Sequence, residues 1–274
     1  MTDRQDQSAQ RQLDDYLFDL QGYLILRGAL SGEELAEANR DYDTLQRDRA
    51  HPGGPVVVSD PGRQEGLMFQ QLYEMGGVWE RMLDHPSWFD HCLHYIGTDD
   101  PDNFDGHHGP AFIDECFGTI RGPGGAQRLH SGGEKGTIRT QYRYHAGKFH
   151  CGQVNVLIAL NDIGPGDGAT VVVPGSHKSN LRHPQTVPRE RYGEELSADD
   201  TAGGIEAHLK AGDALLFVDA IMHGSARRTN EGERRVCVYR YGPSWGYFRH
   251  KWRPSDGLMA RLSPDRRKLV NPHA

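Results

Sequence analysis

At 274 residues the chain is long enough to bury a substantial core, and β-rich single domains of this size are common, so one domain over 1–274 is the expectation. A formal charge of -7, from 38 acidic against 31 basic side chains, supplies no global positive field and argues against nucleic-acid polymers and anionic membrane surfaces as partners. With 34 Gly and 15 Pro the composition suits a turn-rich globular protein rather than a disordered one.

The first twelve residues, Met1–Gln12, read as a polar tail without the apolar stretch of a secretion signal. Leu13, Tyr16, Leu17 and Leu20 then recur at helical spacing until Gly22 stops the pattern. Residues 22–30 form a compact apolar run suited to a strand. Ser31 with Glu34 gives a capping box that opens a helix running to about Arg47. Residues 51–63 are rich in Gly and Pro and read as a loop, and Pro86 fits the first turn of a helix ending near Ile96. Trp88, Phe89, Cys92 and Tyr95 on that helix are read as core.

From about Pro110 onward the texture changes to short β-prone runs bounded by Gly, Pro, Asn or Asp: AFIDECFGTI, TIRTQYRY, QVNVLIAL, ATVVVPG, DALLFVDA and RVCVYRYG. Many strands without intervening helices predict a closed or sandwiched antiparallel sheet. Residues 179–204 read as a polar insertion between strands and a candidate lid. Cys92, Cys116, Cys151 and Cys237 lack C-x-x-C spacing, which disfavours a zinc ribbon or a redox dithiol and fits reduced thiols in a cytoplasm. No run approaches the roughly 18 apolar residues of a membrane span, so a soluble cytoplasmic protein is expected.

Of fifteen histidines, two stand out by position: His130 in RLHSGG just before a β-prone run, and His223 in GDALLFVDAIMHGS at the end of an apolar one. With QGYLILRGALSGEEL near the start, PGDGATVVVPGSHKSN at 165–180 and Arg234 and Arg235 after the second histidine motif, most of the chain resembles phytanoyl-CoA dioxygenase-type enzymes. The resemblance implies a mainly β fold, a double-stranded β-helix (jelly-roll) core with flanking N-terminal helices, acting on a small-molecule substrate. It also implies Fe(II) held by two His and one carboxylate, here His130 and His223 with an acid two residues after the first, and 2-oxoglutarate and O2 as co-substrates. That acid is missing, because His130-Ser131-Gly132 places a hydrogen where Asp would offer an oxygen.

The same replacement characterises iron and 2-oxoglutarate halogenases, in which chloride takes the vacated position; Gly132 is therefore the expected halide site. Two alternatives stay open: Glu134, four residues after His130, restoring a hydroxylase, and a non-catalytic jelly-roll binding module. Arg234, eleven residues after His223, occupies the place where the family holds the distal carboxylate of 2-oxoglutarate, and Ser225 resembles the hydroxyl that assists it. Strand alternation sends Arg235 to the opposite face. Asn155 and Tyr142 fall on β-prone runs and are expected to line the same pocket.

Arg121, Lys135, Arg139 and Arg143, with Lys148 and Arg182, lie near the first histidine motif and the insertion and suggest a phosphorylated substrate, against the reading that they are solvated edge charges. Together with Gly132 they make the chain similar to nucleotide halogenases that chlorinate the sugar of deoxyadenosine monophosphate. Trp245, Tyr247 and Phe248 are aromatic candidates for stacking on a base or packing on the core. His107, His108, His145, His150, His177 and His183 are read as surface or core residues, His177 ordering a loop.

Overall fold

The structure is a computed structural model that describes residues 2–62, 65–104, 107–131, 138–186, 197–246 and 252–272. The chain opens with helix α1 (Thr2–Gln21), which takes in the segment expected to be a polar tail. Straight-chain Gln and Arg with Ala are good helix formers, so polarity alone is no argument against a helix. The face expected to be buried is also corrected: Leu13, Tyr16 and Leu20 are exposed, while Phe18 is fully buried and stacks on Tyr95 at 3.7 Å. Gly22 ends the helix with φ 86, and a Cβ there would lie 2.6 Å from His177 Nδ1, so both backbone conformation and space require glycine.

Strand β1 (Tyr23–Leu26) is shorter than the apolar run that suggested it. Helix α2 (Gly32–Asp48) begins on the expected capping box, with Glu34 N–H donating to Ser31 Oγ at 3.3 Å and Ser31 N–H donating to Glu34 Oε2 at 3.0 Å. The stretch read as a loop contains β2 (Val57–Ser59), which pairs with β3 (Leu67–Gln70). After the short helix α3 (Val78–Arg81), α4 (Phe89–Ile96) starts beyond Pro86, which stands in the preceding turn rather than in the helix. Trp88, Cys92 and Tyr95 are fully buried, as their spacing suggested.

The remaining strands are β4 (Phe112–Arg121), β5 (Gln127–His130), β6 (Tyr144–His145), β7 (Lys148–Phe149), β8 (Val154–Ala159), β9 (Thr170–Val172), β10 (Ile205–Ala207), β11 (Ala214–Val218), β12 (His223–Ser225) and β13 (Arg234–Gly242). The run TIRTQYRY is not one strand: among its described residues Ile138–Thr140 form a 3-10 turn and only Tyr144 is extended, in the two-stranded hairpin β6–β7. Ile138 and Tyr144 are exposed there, so β-prone residues had no wider sheet to join. Two C-terminal helices went unread, α5 (Asp256–Arg261) and α6 (Pro264–Val270), although Ser255 and Ser263 cap them.

Two antiparallel sheets face each other, one in the order β1-β11-β8-β13-β4-β3-β2 and the other in the order β10-β9-β12-β5. The chain steps from sheet to sheet at β4–β5, β8–β9, β10–β11, β11–β12 and β12–β13, which is the jelly roll. Helices cover the outer face of the larger sheet, and β13 shows how. Its odd-numbered side chains face the helices: Arg235 donates to Asn39 and Gln46 of α2, Tyr239 Oη donates to Trp79 O at 2.8 Å, and Trp88 Nε1 donates to Tyr241 Oη at 3.0 Å. Its even-numbered side chains face the smaller sheet. From α2, the buried Tyr42 Oη donates to Val236 O at 2.8 Å. With both faces covered the central strands read as continuous apolar runs, and all six residues of β8 are buried. All four cysteines are buried free thiols, and no described helix is long and apolar enough to cross a membrane.

α1 is tied to the β6–β7 region by one polar cluster. Asp19 accepts from Tyr142 Oη at 2.5 Å and from Lys178 Nζ at 3.1 Å, and its carbonyl lies 3.1 Å from His177 Nε2. The carbonyl can only accept, so His177 carries its proton on Nε2, and Nδ1 is buried without a partner among the described residues. Burial pushes the His177 pKa down to about 4. Because an unfolded histidine titrates near about 6.5, this contribution is complete above that pH and is lost as pH falls toward the folded value, a loss on the order of 3 kcal/mol. His177→Gln keeps a donor without the titration, so its melting temperature is expected to fall less than the parent's between about pH 7 and about pH 5; equal slopes would contradict this. Ser31→Ala removes the cap of α2 and is expected to cost about 1 kcal/mol, read as a lower urea midpoint at unchanged slope.

Candidate metal and co-substrate site

β5 and β12 are neighbours in the smaller sheet, and their register sets His130 directly opposite His223. Ser225 pairs with Gln127, so β5 carries one extra residue between the two pairs, a bulge that re-aims its end. The two imidazole rings sit with centroids 4.2 Å apart and planes inclined at 56°. Gly224 between His223 and Ser225 lets the strands close up, since a Cβ there would meet Gln127 O at 2.7 Å and Arg128 O at 2.8 Å. Ser131 then turns the chain away from β5 in the left-handed region, at φ 61.

Each ring is locked by the carbonyl two residues upstream: His130 Nδ1 lies 2.9 Å from Arg128 O, and His223 Nδ1 lies 2.8 Å from Ile221 O. A carbonyl accepts only, so both Nδ1 atoms carry the proton and both Nε2 atoms present a lone pair. Burial, reinforced for His130 by the neighbouring His223, holds both pKa values below the ordinary histidine value, which keeps the rings neutral. Neutral imidazoles with oriented Nε2 atoms are suited to a divalent metal. Among the described residues no third His, Cys, Asp or Glu completes a cluster with them. Gly132 and Glu134, the expected halide site and the alternative ligand, lie outside the described residues. Asp219 stands near His223, but its carboxylate accepts from Asn155 Nδ2 at 3.0 Å and Arg139 Nη1 at 2.5 Å.

The histidines open onto a cavity between the sheets that runs along β13, lined by Arg234, Val236, Val238 and Arg240 in strict alternation. Arg234 is buried at the closed end, where Nη2 donates to Thr170 Oγ1 at 3.1 Å and Nε has no partner among the described residues. Arg121 on β4 is its register partner and donates from Nη1 to Ser225 Oγ at 2.9 Å. Burial lowers the pKa of both guanidiniums, to about 9 for Arg234, where Arg121 and Arg228 add repulsion, and to about 10 for Arg121. Arg228 is neutralised by Asp167 at 3.0 Å, whereas among the described residues no carboxylate pairs with Arg121 or Arg234. Thr119 Oγ1, on the same face of β4, is also buried without a partner among the described residues. Buried cations with orphaned polar atoms call for an anionic ligand, so the residues present fit a metal flanked by a dicarboxylate.

The structure therefore brings together His130, His223, Arg234, Ser225 and Arg121, and sends the other candidates elsewhere. Arg121 reaches the closed end rather than the substrate side, because 117, 119 and 121 share the inner face of β4. Asn155 is not among the cavity-lining residues; its Nδ2 donates to Asp219, while its Oδ1 is buried with no partner among the described residues. Tyr142 lies beside α1, hydrogen-bonded to Asp19. Arg139 is paired with Asp219, Lys148 with Asp100 at 2.8 Å, and Arg143 and Arg182 are exposed, so the expected basic cluster does not assemble among the described residues. Lys135 lies outside them, as do Tyr247 and Phe248, while Trp245 is 64% exposed and packs in no core. Of the expected lid insertion, 187–196 lie outside the described residues. Thr119, Thr170 and Arg240 were missed, although alternation along β13 and β4 could have found the first and the last.

The jelly roll thus places a pair of oriented imidazoles and two buried arginines around one cavity. The chain belongs to the phytanoyl-CoA dioxygenase (PhyH) family, whose model matches residues 18–236. The dioxygenase cdmD of Talaromyces verruculosus is 33% identical over 89 residues, 32% of this chain and 24% of that protein, so the chain spans about a quarter of the length of the curated relatives it matches. HygX from Streptomyces hygroscopicus, solved with nickel, 2-oxoglutarate and hygromycin B, is 25% identical with a TM-score of 0.68, covering 88% of this chain and 89% of that one. HygX with iron bound matches at a TM-score of 0.65, with 25% identity over 88% of this chain and 89% of that one.

Replacing His130 or His223 by Ala removes one of two oriented donors. Each variant is expected to bind Fe(II) or Ni(II) more than about 100-fold more weakly in anaerobic titration calorimetry; retention of parental affinity by either would exclude that residue as a ligand.

Proposed function

We propose that the chain is an Fe(II)- and 2-oxoglutarate-dependent oxidoreductase acting on a small-molecule substrate, with His130 and His223 as protein ligands to the metal. The observation that carries this reading is the pairing of two outward-facing Nε2 atoms with the buried, carboxylate-free Arg234 along one cavity. A 2-oxo dicarboxylate satisfies both ends, one by chelation and the other by the guanidinium and the Ser225 hydroxyl. Bound there, Fe(II) with 2-oxoglutarate and O2 supplies the power to remove hydrogen from an unactivated carbon, with succinate and carbon dioxide released. The protein's own part is to keep both imidazoles neutral and aimed, to hold the distal carboxylate, and to wall the site with Phe217, Leu157 and Val238.

Within that chemistry the reading is chlorination: Gly132 offers no oxygen two residues after His130, and chloride fits the place left on the metal. The deoxyadenosine monophosphate-like substrate rests on the same Gly132 resemblance. Hydroxylation is the second reading, supported by the relative named a dioxygenase and by Glu134 four residues after His130. Hygromycin B in HygX supports a small-molecule partner.

The test is anaerobic reconstitution with Fe(II), 2-oxoglutarate and chloride, then O2 and mass analysis of a nucleotide and small-metabolite panel. A chlorine isotope doublet is expected; addition of one oxygen atom in its place would select hydroxylation, and no iron-dependent succinate with any substrate would leave a binding module. Gly132→Asp is expected to abolish chlorination, and a variant that chlorinates as well as the parent would refute the halide reading.

A further inference from the structure

The closed end of the cavity is a ring of four side chains that joins the two sheets. On the larger sheet Arg121 and Arg234 are register partners; on the smaller sheet Ser225 and Thr170 are register partners. Each arginine crosses the cavity to one hydroxyl, Arg121 to Ser225 at 2.9 Å and Arg234 to Thr170 at 3.1 Å. In both contacts the guanidinium donates, so both hydroxyl protons remain to be given to something else. Arg121 is also held by Glu65 O, to which Nε donates at 3.1 Å, with Gly66 packed so close that a Cβ there would lie 2.9 Å from Arg121 Cγ. Among the described residues neither guanidinium is ion-paired, and only the exposed Glu65 carboxylate favours the charged form of Arg121, so two like charges buried side by side weaken the empty fold and a site keeps them when a ligand offsets the cost.

We propose that Arg121 is a positioning and specificity residue for the co-substrate: it sets the Ser225 hydroxyl and adds a second charge beside Arg234, so that the ring selects 2-oxo acids with a distal carboxylate. The inference rests on the co-substrate reading above and adds a residue to it. Arg234 supplies the direct contact, while Arg121 acts through Ser225 and through its field.

The experiment measures binding of 2-oxoglutarate and of 2-oxopentanoate, which lacks the distal carboxylate, by calorimetry with Mn(II), together with apo melting temperatures. Arg121→Met is expected to weaken 2-oxoglutarate binding about tenfold, a loss of about 1.4 kcal/mol, with little change for 2-oxopentanoate. Its apo form is expected to melt no lower than the parent, and Arg121→Lys to recover part of the affinity. In uncoupled turnover the loss should appear in KM for 2-oxoglutarate with kcat nearly unchanged. Parental 2-oxoglutarate affinity in Arg121→Met would overturn the proposal, as would equal losses for both 2-oxo acids. Arg121→Gln gives the same readout should the Met variant not fold. A parent that binds no 2-oxoglutarate would instead bring down the co-substrate reading, and this inference with it.

Discussion

Two-residue alternation along β13 is the constraint on which the rest of the molecule depends. One side of the strand must satisfy a layer of helices and the other must line a cavity, and adjacent residues answer to different physics. Tyr239 and Tyr241 bury large rings and find carbonyl or indole partners outside, while Val238 and Arg240 between and beside them face inward. Arg234 and Arg235 are the sharpest case: Arg235 is stabilised by Asp43 and Glu233 at the helix layer, and its neighbour is buried without any such partner among the described residues.

A buried guanidinium without a carboxylate is costly in a closed core, so its survival at the inner end of the cavity is informative about what the cavity is for. The histidine pair makes the complementary statement. Backbone carbonyls fix the tautomer of both rings, desolvation keeps them uncharged, and cross-strand register brings them together without any help from side-chain flexibility. Lone pairs on the smaller sheet and positive charge on the larger sheet that faces it meet across one cavity.

Much of this was legible in the residues because it is local or periodic. The capping box at Ser31, the apolar runs of β8 and β11, the opposed faces of Arg234 and Arg235 and the pairing of the histidine motifs follow from short-range rules and a family likeness. What could not be read depends on partners far away in sequence. Phe18 rather than Leu13 became the buried face of α1 because Tyr95 lies beneath it. Tyr142 and Asn155 were captured by Asp19 and Asp219, carboxylates from distant segments, and Arg139 was neutralised by the latter, so the apparent basic cluster was a sequence neighbourhood and not a surface.

The division of β13 into two independent faces has a further consequence for how such a scaffold can diversify. Even-numbered positions can be exchanged to reshape the chamber with little disturbance to the helical coat, whose own contacts reside on the odd-numbered ones. Lineages descending from this architecture can thus explore new chemistry at the wall while inheriting an unchanged exterior, and drift in the exterior need not alter what the chamber accepts.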